Sequence, residues 1–253
     1  MSEFKHIGES IRKIPEISPD KLVKPDFVCP KCDGYGNIIT PQGARPCDCI
    51  KKEINTDLLF REANIPIRFK NKNFDTYQTH TKPQQYNLNR MKTFVKNFSR
   101  KNNRGLYICG TNGVGKTHLS ISVLKELLLK GYEGYYYNVT DLINNIKASF
   151  RDQEMQDSHS LMDDLINMEI LVLDDLGLQK MSTYVADRLY ALINGRYEKG
   201  NTLIVTSQDT PNELEMKLEY ALCSRLYEMC SIYDCAGSDF RKSTSEAKTQ
   251  IIK

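Results

Sequence analysis

Between residues 105 and 235, short apolar runs alternate with longer segments in which apolar residues recur at helical spacing. The short runs are rich in β-branched and aromatic residues, as buried strands require. We predict strands at 105–109, 135–139, 169–175, 202–208 and 230–235. The predicted helices are 118–130, 140–150 (capped by Thr140 or Asp141), 184–197 and 211–227, and 151–160 is a predicted polar loop. This alternation predicts an α/β fold with a parallel sheet and right-handed crossovers.

The stretch 68–104, ahead of the first predicted strand, combines positive charge with aromatic rings. It carries ten basic residues against a single acid, Asp75, and six aromatic residues are interleaved among them. Such a tract can bind single-stranded nucleic acid, because cations contact phosphates and rings stack on bases. The alternative is that its apolar positions pack inward and leave the cations as a solvated face. Those positions have helical spacing and are Met91, Phe94, Val95 and Phe98.

A glycine-rich segment follows directly on the strand predicted at 105–109. Residues 110–117, the phosphate-binding loop, match the pattern G-x-x-x-x-G-K-[ST] at every position. Glycine lets the backbone turn tightly, so that successive N–H groups surround phosphate oxygens. Lys116 can reach the β- and γ-phosphates, and the Thr117 hydroxyl can bind Mg²⁺. The predicted nucleotide-binding residues are Gly110, Thr111, Asn112, Gly113, Val114, Gly115, Lys116, Thr117 and His118.

The strand predicted at 169–175 is apolar and ends in two acids, Asp174 and Asp175. An acid at the tip of such a strand can hold Mg²⁺, and its neighbour can orient or deprotonate an attacking water. We assign Asp174 to the metal and Asp175 to catalysis. A helix cap alone is the alternative, and the phosphate-binding loop upstream argues against it. The strand at 202–208 also ends in polar groups and can lie between the two earlier strands, facing the γ-phosphate.

Four of the eight cysteines form two close pairs near the start of the chain, Cys29 with Cys32 and Cys47 with Cys49. Their spacing fits a tetrahedral zinc site with a small hairpin between the pairs, 38–40 being one arm. So short a segment cannot fold alone, and metal binding would supply the missing free energy. Four sulfur ligands leave no open position, so this zinc is structural. An iron–sulfur cluster and unligated thiols are the alternatives. The other cysteines, at 109, 223, 230 and 235, are expected to be buried thiols.

Composition adds limits rather than a function. The chain has 253 residues, 40% hydrophobic and 26% charged, which is ordinary for a globular protein, and its net charge of +3 does not by itself indicate nucleic-acid binding. No apolar run approaches ~18 residues and the first ten residues lack a signal-peptide core, so we expect a cytoplasmic protein without membrane contact. We expect two domains: 1–55, with a helix, a linker and the zinc module, and 56–253, the ATPase domain.

The chain resembles the bacterial replicative-helicase loaders of the DnaC/DnaI type, within the AAA+ ATPases. The resemblance covers residues ~60–241 and rests on six segments. They are 64–69 (Asn-Ile-Pro-Ile-Arg-Phe) with Phe74, the phosphate-binding loop with His118, 171–177 (Leu-Val-Leu-Asp-Asp-Leu-Gly), 206–208 (Thr-Ser-Gln), 224–226 (Ser-Arg-Leu) and 239–241 (Asp-Phe-Arg). Loaders of the DnaI kind also carry a cysteine-rich zinc module ahead of the ATPase.

The resemblance implies roles for three further residues. Gln208 matches a sensor of the γ-phosphate, although the family usually has Asn at this position. Arg225 matches an arginine finger that reaches a neighbouring subunit, and Arg241 matches a second sensor. It also implies Mg-ATP binding with slow hydrolysis, contact with single-stranded DNA, self-association and engagement of a hexameric helicase through the zinc module. A transposition ATPase of the IstB type, or an adaptor with a purely structural nucleotide, are the alternatives.

Overall fold

The structure is a computed structural model that describes Cys32 and residues 37–40, 43–46, 56–101, 104–151, 155–177, 182–218, 220–235, 237 and 239–240. Three of the predicted zinc ligands, Cys29, Cys47 and Cys49, lie outside these residues, as do Arg241 and the predicted N-terminal helix. Between the two cysteine pairs, β1 (Asn37–Thr40) and β2 (Gly43–Pro46) form an antiparallel hairpin. The hairpin predicted there is confirmed.

Five further strands, eight α-helices and one short 3-10 helix (Ile67–Phe69) are present in the described part of the chain. The strands are β3 (Gly105–Cys109), β4 (Gly134–Asn138), β5 (Ile170–Leu176), β6 (Thr202–Ser207) and β7 (Cys230–Asp234). The helices are α1 (Thr56–Glu62), α2 (Lys82–Asn97), α3 (Lys116–Leu129), α4 (Val139–Arg151), α5 (Met155–Asn167), α6 (Thr183–Lys199), α7 (Pro211–Glu215) and α8 (Tyr220–Met229). None of these helices is long and apolar enough to cross a membrane.

The five strands form one parallel sheet in the order β4-β5-β6-β3-β7. The predicted parallel α/β sheet is confirmed, and β6 lies between β3 and β5 as predicted. Because all five strands run in the same direction, their carboxyl ends meet at one edge. That edge therefore gathers the phosphate-binding loop after β3, the acids at the end of β5 and the polar end of β6.

Successive strand residues point to opposite faces of the sheet, and each face has its own core. On one face, Leu106 and Ile108 pack in a cluster with buried residues of α2 and α3. On the other face, Tyr107 and Cys109 pack in a cluster with residues of α4 to α8. Helices therefore cover both faces, which explains why the central strands carry continuous apolar runs, such as 170–173 in β5 and 203–205 in β6, rather than alternating ones.

Arg196, near the end of α6, links that helix to neighbouring elements by hydrogen bonds. Its side chain is fully buried, and it donates hydrogen bonds to five backbone carbonyls at the ends of α5, β5 and β6: those of Leu165, Ile166, Met168, Glu169 and Thr202. Burial lowers the pKa of Arg196 to about 9, so the guanidinium still carries its charge at neutral pH. The five carbonyls compensate for burying that charge.

Three local predictions are wrong. The predicted polar loop at 151–160 is largely helical, since α5 begins at Met155. The predicted helix at 211–227 is interrupted between α7 and α8. Helix α4 begins at Val139, ahead of the predicted caps Thr140 and Asp141, and Asn138 Oδ1 accepts from the Thr140 N–H at 2.9 Å.

Candidate nucleotide-binding site

The phosphate-binding loop is held in place by groups packed closely against its glycines. Gly113 and Gly115 have φ of 78° and 93°, a conformation that side chains rarely adopt. A Cβ on Gly113 would lie 1.7 Å from the Asp239 carboxylate, and one on Gly115 would lie 2.6 Å from the Tyr77 ring. Glycine is thus required at both positions by backbone conformation and by space. The loop has the strand β3 before it and the helix α3 after it, as the motif demands.

The Lys116 side chain is hydrogen-bonded to the phosphate-binding loop itself. Its Nζ donates to the carbonyls of Gly110 at 2.7 Å and Thr111 at 2.9 Å, and the residue is 6% exposed. It is also the first residue of α3, whose N-terminal N–H groups and dipole favour an anion. The ammonium group is therefore stored beside the place where phosphates would enter.

Asp174 is the centre of a hydrogen-bond network that joins three strands and α3. Its Oδ1 accepts from the Thr206 hydroxyl at 2.7 Å, and its Oδ2 accepts from the Tyr136 hydroxyl at 2.7 Å and the Thr117 hydroxyl at 3.2 Å. The residue is 1% exposed. Burial, with the nearby charge of Asp174, raises the pKa of Tyr136 well above its ordinary value, so this hydroxyl keeps its proton.

The Thr117 hydroxyl and the Asp174 carboxylate lie side by side at the carboxyl edge of the sheet. They are hard oxygen donors, which Mg²⁺ prefers, and Mg²⁺ is usually held by one or two carboxylates together with substrate phosphates. Within the described residues there is no group of three or more His, Cys, Asp or Glu side chains placed to hold a metal. The donor set fits a metal that shares its coordination sphere with a nucleotide.

Asp175 interrupts the regular pairing of β5. The register with β6 shifts between Leu173 and Leu176, and Asp175 has φ of 64°, a left-handed conformation that aspartate tolerates better than most residues. Its N–H donates to the Thr206 hydroxyl at 2.9 Å. The irregularity allows consecutive acids to take different environments: Asp174 is buried, whereas Asp175 is partly exposed. Its role towards a water remains a prediction.

Two other segments close over the loop. The Tyr77 hydroxyl donates to the Val114 carbonyl at 3.1 Å, and burial raises the pKa of Tyr77 to about 12. After β7, the Phe240 N–H donates to the Gly113 carbonyl at 3.2 Å, and the Phe240 ring stacks on His80 with centroids 5.9 Å apart. Residue 241 therefore follows directly on a residue bonded to the phosphate-binding loop.

The His118 side chain is hydrogen-bonded to the segment before the phosphate-binding loop. Its Nε2 lies 2.8 Å from the Asn73 carbonyl, which can only accept, so Nε2 carries the proton. Burial lowers the pKa of His118, so the ring is neutral at pH 7. The predicted nucleotide contact of His118 is then left to its backbone N–H, at the start of α3.

Arg225 and Gln208, two predicted catalytic residues, occupy different parts of the molecule. Gln208 follows the end of β6 and is partly buried, two residues beyond Thr206. Arg225 lies on α8 and contacts α6: its Nε donates to Asn194 Oδ1 at 3.2 Å and its guanidinium stacks over the Tyr197 ring at 4.6 Å. These contacts hold Arg225 on its own chain without using all its N–H donors.

In the basic tract 68–104, most of the aromatic rings are turned inward. Phe74, Tyr77 and Phe98 are buried and Phe69 and Phe94 are partly buried, whereas Tyr86 is 60% exposed. Met91 and Val95 are buried as well. Several cations are paired, as Lys70 is with Asp57 and Arg100 is with Glu169. The prediction that the apolar positions pack inward is confirmed, so any DNA contact by this tract would rely on charge more than on stacking.

The four cysteines outside the two close pairs are buried, as predicted. Cys109, Cys223, Cys230 and Cys235 are buried, and desolvation raises their pKa values to about 11 or 12. They are therefore protonated thiols of the core. Cys32 is also buried, close in sequence to the hairpin.

Sequence reasoning missed Tyr136, Thr206, Tyr77 and Asp239 as residues of the site. Thr206 and Asp239 carried a signal, because both lie in segments of the family resemblance, 206–208 and 239–241. Thr206 is also a polar residue near the end of a buried strand beside two acids, which makes it a candidate for the same edge. Tyr136 gave none, because three tyrosines in a row do not indicate which hydroxyl faces the acid.

Comparison with known proteins places these features in context. Residues 51–248 match the family described as IstB-like ATP binding protein. The replicative helicase loader DnaC of Escherichia coli K12 is 26% identical over 188 residues, 72% of this chain and 73% of that protein. A putative ATP-binding protein of insertion sequence IS5376 from Geobacillus stearothermophilus is 24% identical over 196 residues, 76% of this chain and 75% of that protein. A crystal structure of the DnaC helicase loader has a TM-score of 0.61 at 29% identity and covers 68% of this chain and 100% of its own. The predicted resemblance to the loaders is confirmed.

Proposed function

The chain belongs to the family of IstB-like ATP binding proteins, and from this premise we propose that it is an ATP-driven loader of a replicative DNA helicase. The observation that carries the nucleotide part is the contact of Thr117 and Thr206 with Asp174, which joins the phosphate-binding loop, the acid and the intervening strand at one edge. The loader part is supported by the similarity to helicase loaders across most of the chain.

In this proposal each residue acts on a triphosphate bound at the loop. The backbone N–H groups of 110–118 surround the phosphates, and Lys116 exchanges its two carbonyl partners for phosphate oxygens. Thr117 and Asp174 would hold Mg²⁺, which would supply positive charge to stabilise the phosphates. Asp175 is proposed to orient or deprotonate water, Gln208 to sense the γ-phosphate, and Arg241, the residue after Phe240, to act as the second sensor. Arg225 serves the site of a neighbouring copy.

The N-terminal module is proposed to bind one structural zinc through Cys29, Cys32, Cys47 and Cys49 and to supply most of the contact with the helicase. The hairpin β1–β2 between the two cysteine pairs supports a compact metal-held module. Residues 1–55 and 56–253 would then be separate units, one for the partner and one for ATP.

Replacing Cys32 by Ser is expected to release the zinc and abolish helicase binding while ATP binding survives. Three sulfurs hold zinc more weakly than four, and the module depends on the metal for its folding free energy. The measurements are zinc content by elemental analysis and helicase capture, with Cys223→Ala as the control for loss of a buried thiol elsewhere. A wild-type protein without zinc, or an intact complex after the substitution, would count against the module.

ATP turnover with and without single-stranded DNA tests the proposed activity. We expect slow hydrolysis that DNA or the helicase stimulates, because the arginine finger arrives only on assembly. No turnover under any of these conditions would favour an adaptor with a structural nucleotide. The likeness to the insertion-sequence protein makes a transposition ATPase the second candidate. A protein that hydrolyses ATP but captures no replicative helicase would favour that candidate.

A further inference from the structure

Tyr136 connects Asp174 to the segment that follows α1. The hydroxyl donates to Asp174 Oδ2 at 2.7 Å. The backbone of the same residue is held from the opposite side: its N–H donates to the Ala63 carbonyl at 2.9 Å, and its carbonyl accepts from Asn64 Nδ2 at 2.9 Å. One residue of β4 thus bonds both to the proposed magnesium carboxylate and to the chain that enters the ATPase domain.

The position of Tyr136 in the sheet makes this contact possible. Strand β4 is at the edge of the sheet beside β5, and Tyr136 is paired with Val172, two residues before Asp174. A tyrosine at this register is long enough for its hydroxyl to reach the end of the neighbouring strand. Tyr135 and Tyr137 point to the other face and pack in the other core. The hydroxyl of Tyr136 is therefore distinguished from its two neighbours by geometry alone.

The segment 63–64 is shaped for its contact with β4. Asn64 has φ of 56°, a left-handed conformation that asparagine adopts more readily than most residues. Its backbone N–H bonds back to Arg61 in α1 at 2.9 Å, while its side chain bonds to the Tyr136 carbonyl. Helix α1 in turn begins at Thr56, next to the predicted boundary with the N-terminal module.

We propose that Tyr136 is a positioning residue for Asp174, and that its backbone bonds to Ala63 and Asn64 make this carboxylate sensitive to the segment joining the ATPase domain to the N-terminal module. The inference rests on the proposed binding of Mg-ATP. A carboxylate held by donors on both oxygens is aligned for the metal before the metal arrives. Loss of the Tyr136 donor, or displacement of the segment 63–64, leaves Oδ2 less constrained and weakens Mg²⁺-dependent binding.

The test is binding of a fluorescent ATP analogue to the full chain across a Mg²⁺ titration and in EDTA. Tyr136→Phe keeps the ring and removes the hydroxyl, and we expect the Mg²⁺ concentration for half-saturation to rise about tenfold, the effect of one hydrogen bond to a charged group. Affinity in EDTA should change less than about twofold, because the metal-independent contacts remain. Tyr135→Phe is the matched control on the same strand and should alter neither value.

The coupling to the N-terminal side has its own variant. Asn64→Gly tolerates the left-handed conformation and removes the side chain with its Nδ2 donor. We therefore expect the Mg²⁺ concentration for half-saturation to rise about threefold. If Asn64 acts through the Tyr136 hydroxyl, the double variant should be no weaker than Tyr136→Phe alone. If the fold-change in the Mg²⁺ concentration for half-saturation of the double variant equals the product of the two single-variant changes, the coupling is overturned.

Two results distinguish failure of this inference from failure of the proposed function. A wild-type protein that binds the analogue without any response to Mg²⁺ would overturn the proposed function, and the inference with it. A wild-type protein that responds to Mg²⁺, together with Tyr136→Phe and Tyr135→Phe variants that behave alike, would overturn the inference alone.

Discussion

Lys116→Ala is expected to weaken ATP binding at least about a hundredfold and to abolish turnover while the protein stays folded. A hydrogen bond to a charged group contributes roughly 1.5–3 kcal/mol, and Lys116 is placed to make two such contacts with phosphate oxygens. Alanine also leaves the carbonyls of Gly110 and Thr111 without this donor. Losing ~1 kcal/mol there should lower the melting temperature by only about 2–4 °C.

Calorimetric titration with ATP and a thermal melt of the same samples measure both halves of this prediction. Lys92→Ala is the control, because Lys92 is a half-exposed lysine on α2. It should bind ATP as the wild-type protein does. An affinity of Lys116→Ala within twofold of wild type would rule out the assigned role of the lysine, whereas a collapsed melting temperature would mean that Lys116 is mainly structural.

The parts of the site that the sequence predicts are those whose chemistry requires particular residue types. Phosphate binding at 110–117 needs glycines where side chains would clash, so the motif is visible without any structure. Asp174 is visible because an apolar strand that ends in a carboxylate, downstream of such a loop, is typical of a magnesium site. The order of the strands follows less directly, yet the position of β6 between β3 and β5 is predicted correctly because both neighbours carry the groups that its polar end must meet.

The contacts of Tyr136 and Thr206 depend on strand order and register, which no local pattern records. The left-handed conformation of Asp175 likewise arises from the shifted pairing of β5 with β6. Helix α5 is missed because its first turns are polar and apolar spacing begins only at Leu161. The break between α7 and α8 is missed because no glycine or proline lies at 216–219. Tertiary packing decides each of these features.

Arg225 should matter to hydrolysis far more than its contacts within one chain suggest. In the structure it stacks on Tyr197 and bonds to Asn194, contacts of a half-buried arginine that contribute about 1 kcal/mol or less. An arginine finger contributes roughly 10³-fold or more in rate, because it neutralises charge that develops on the γ-phosphate oxygens. Arg188 is the control for the stacking contact of Arg225 alone, because its guanidinium also stacks on a tyrosine of α6, Tyr184, at 5.1 Å.

We therefore expect Arg225→Ala to bind ATP with unchanged affinity and to lose turnover about a thousandfold, whereas Arg188→Ala keeps its rate. If the finger serves a neighbouring copy, Arg225→Ala has an intact nucleotide site and Lys116→Ala has an intact finger. Mixing the two inactive proteins should then restore part of the turnover, because some interfaces pair the intact nucleotide site of Arg225→Ala with the intact finger of Lys116→Ala. The measurement is the rate across mixing ratios, with co-assembly followed by light scattering. A mixture that assembles and stays inactive would show that Arg225 does not act on a neighbour, and a rate lost equally in Arg188→Ala would reduce Arg225 to a packing residue of α8.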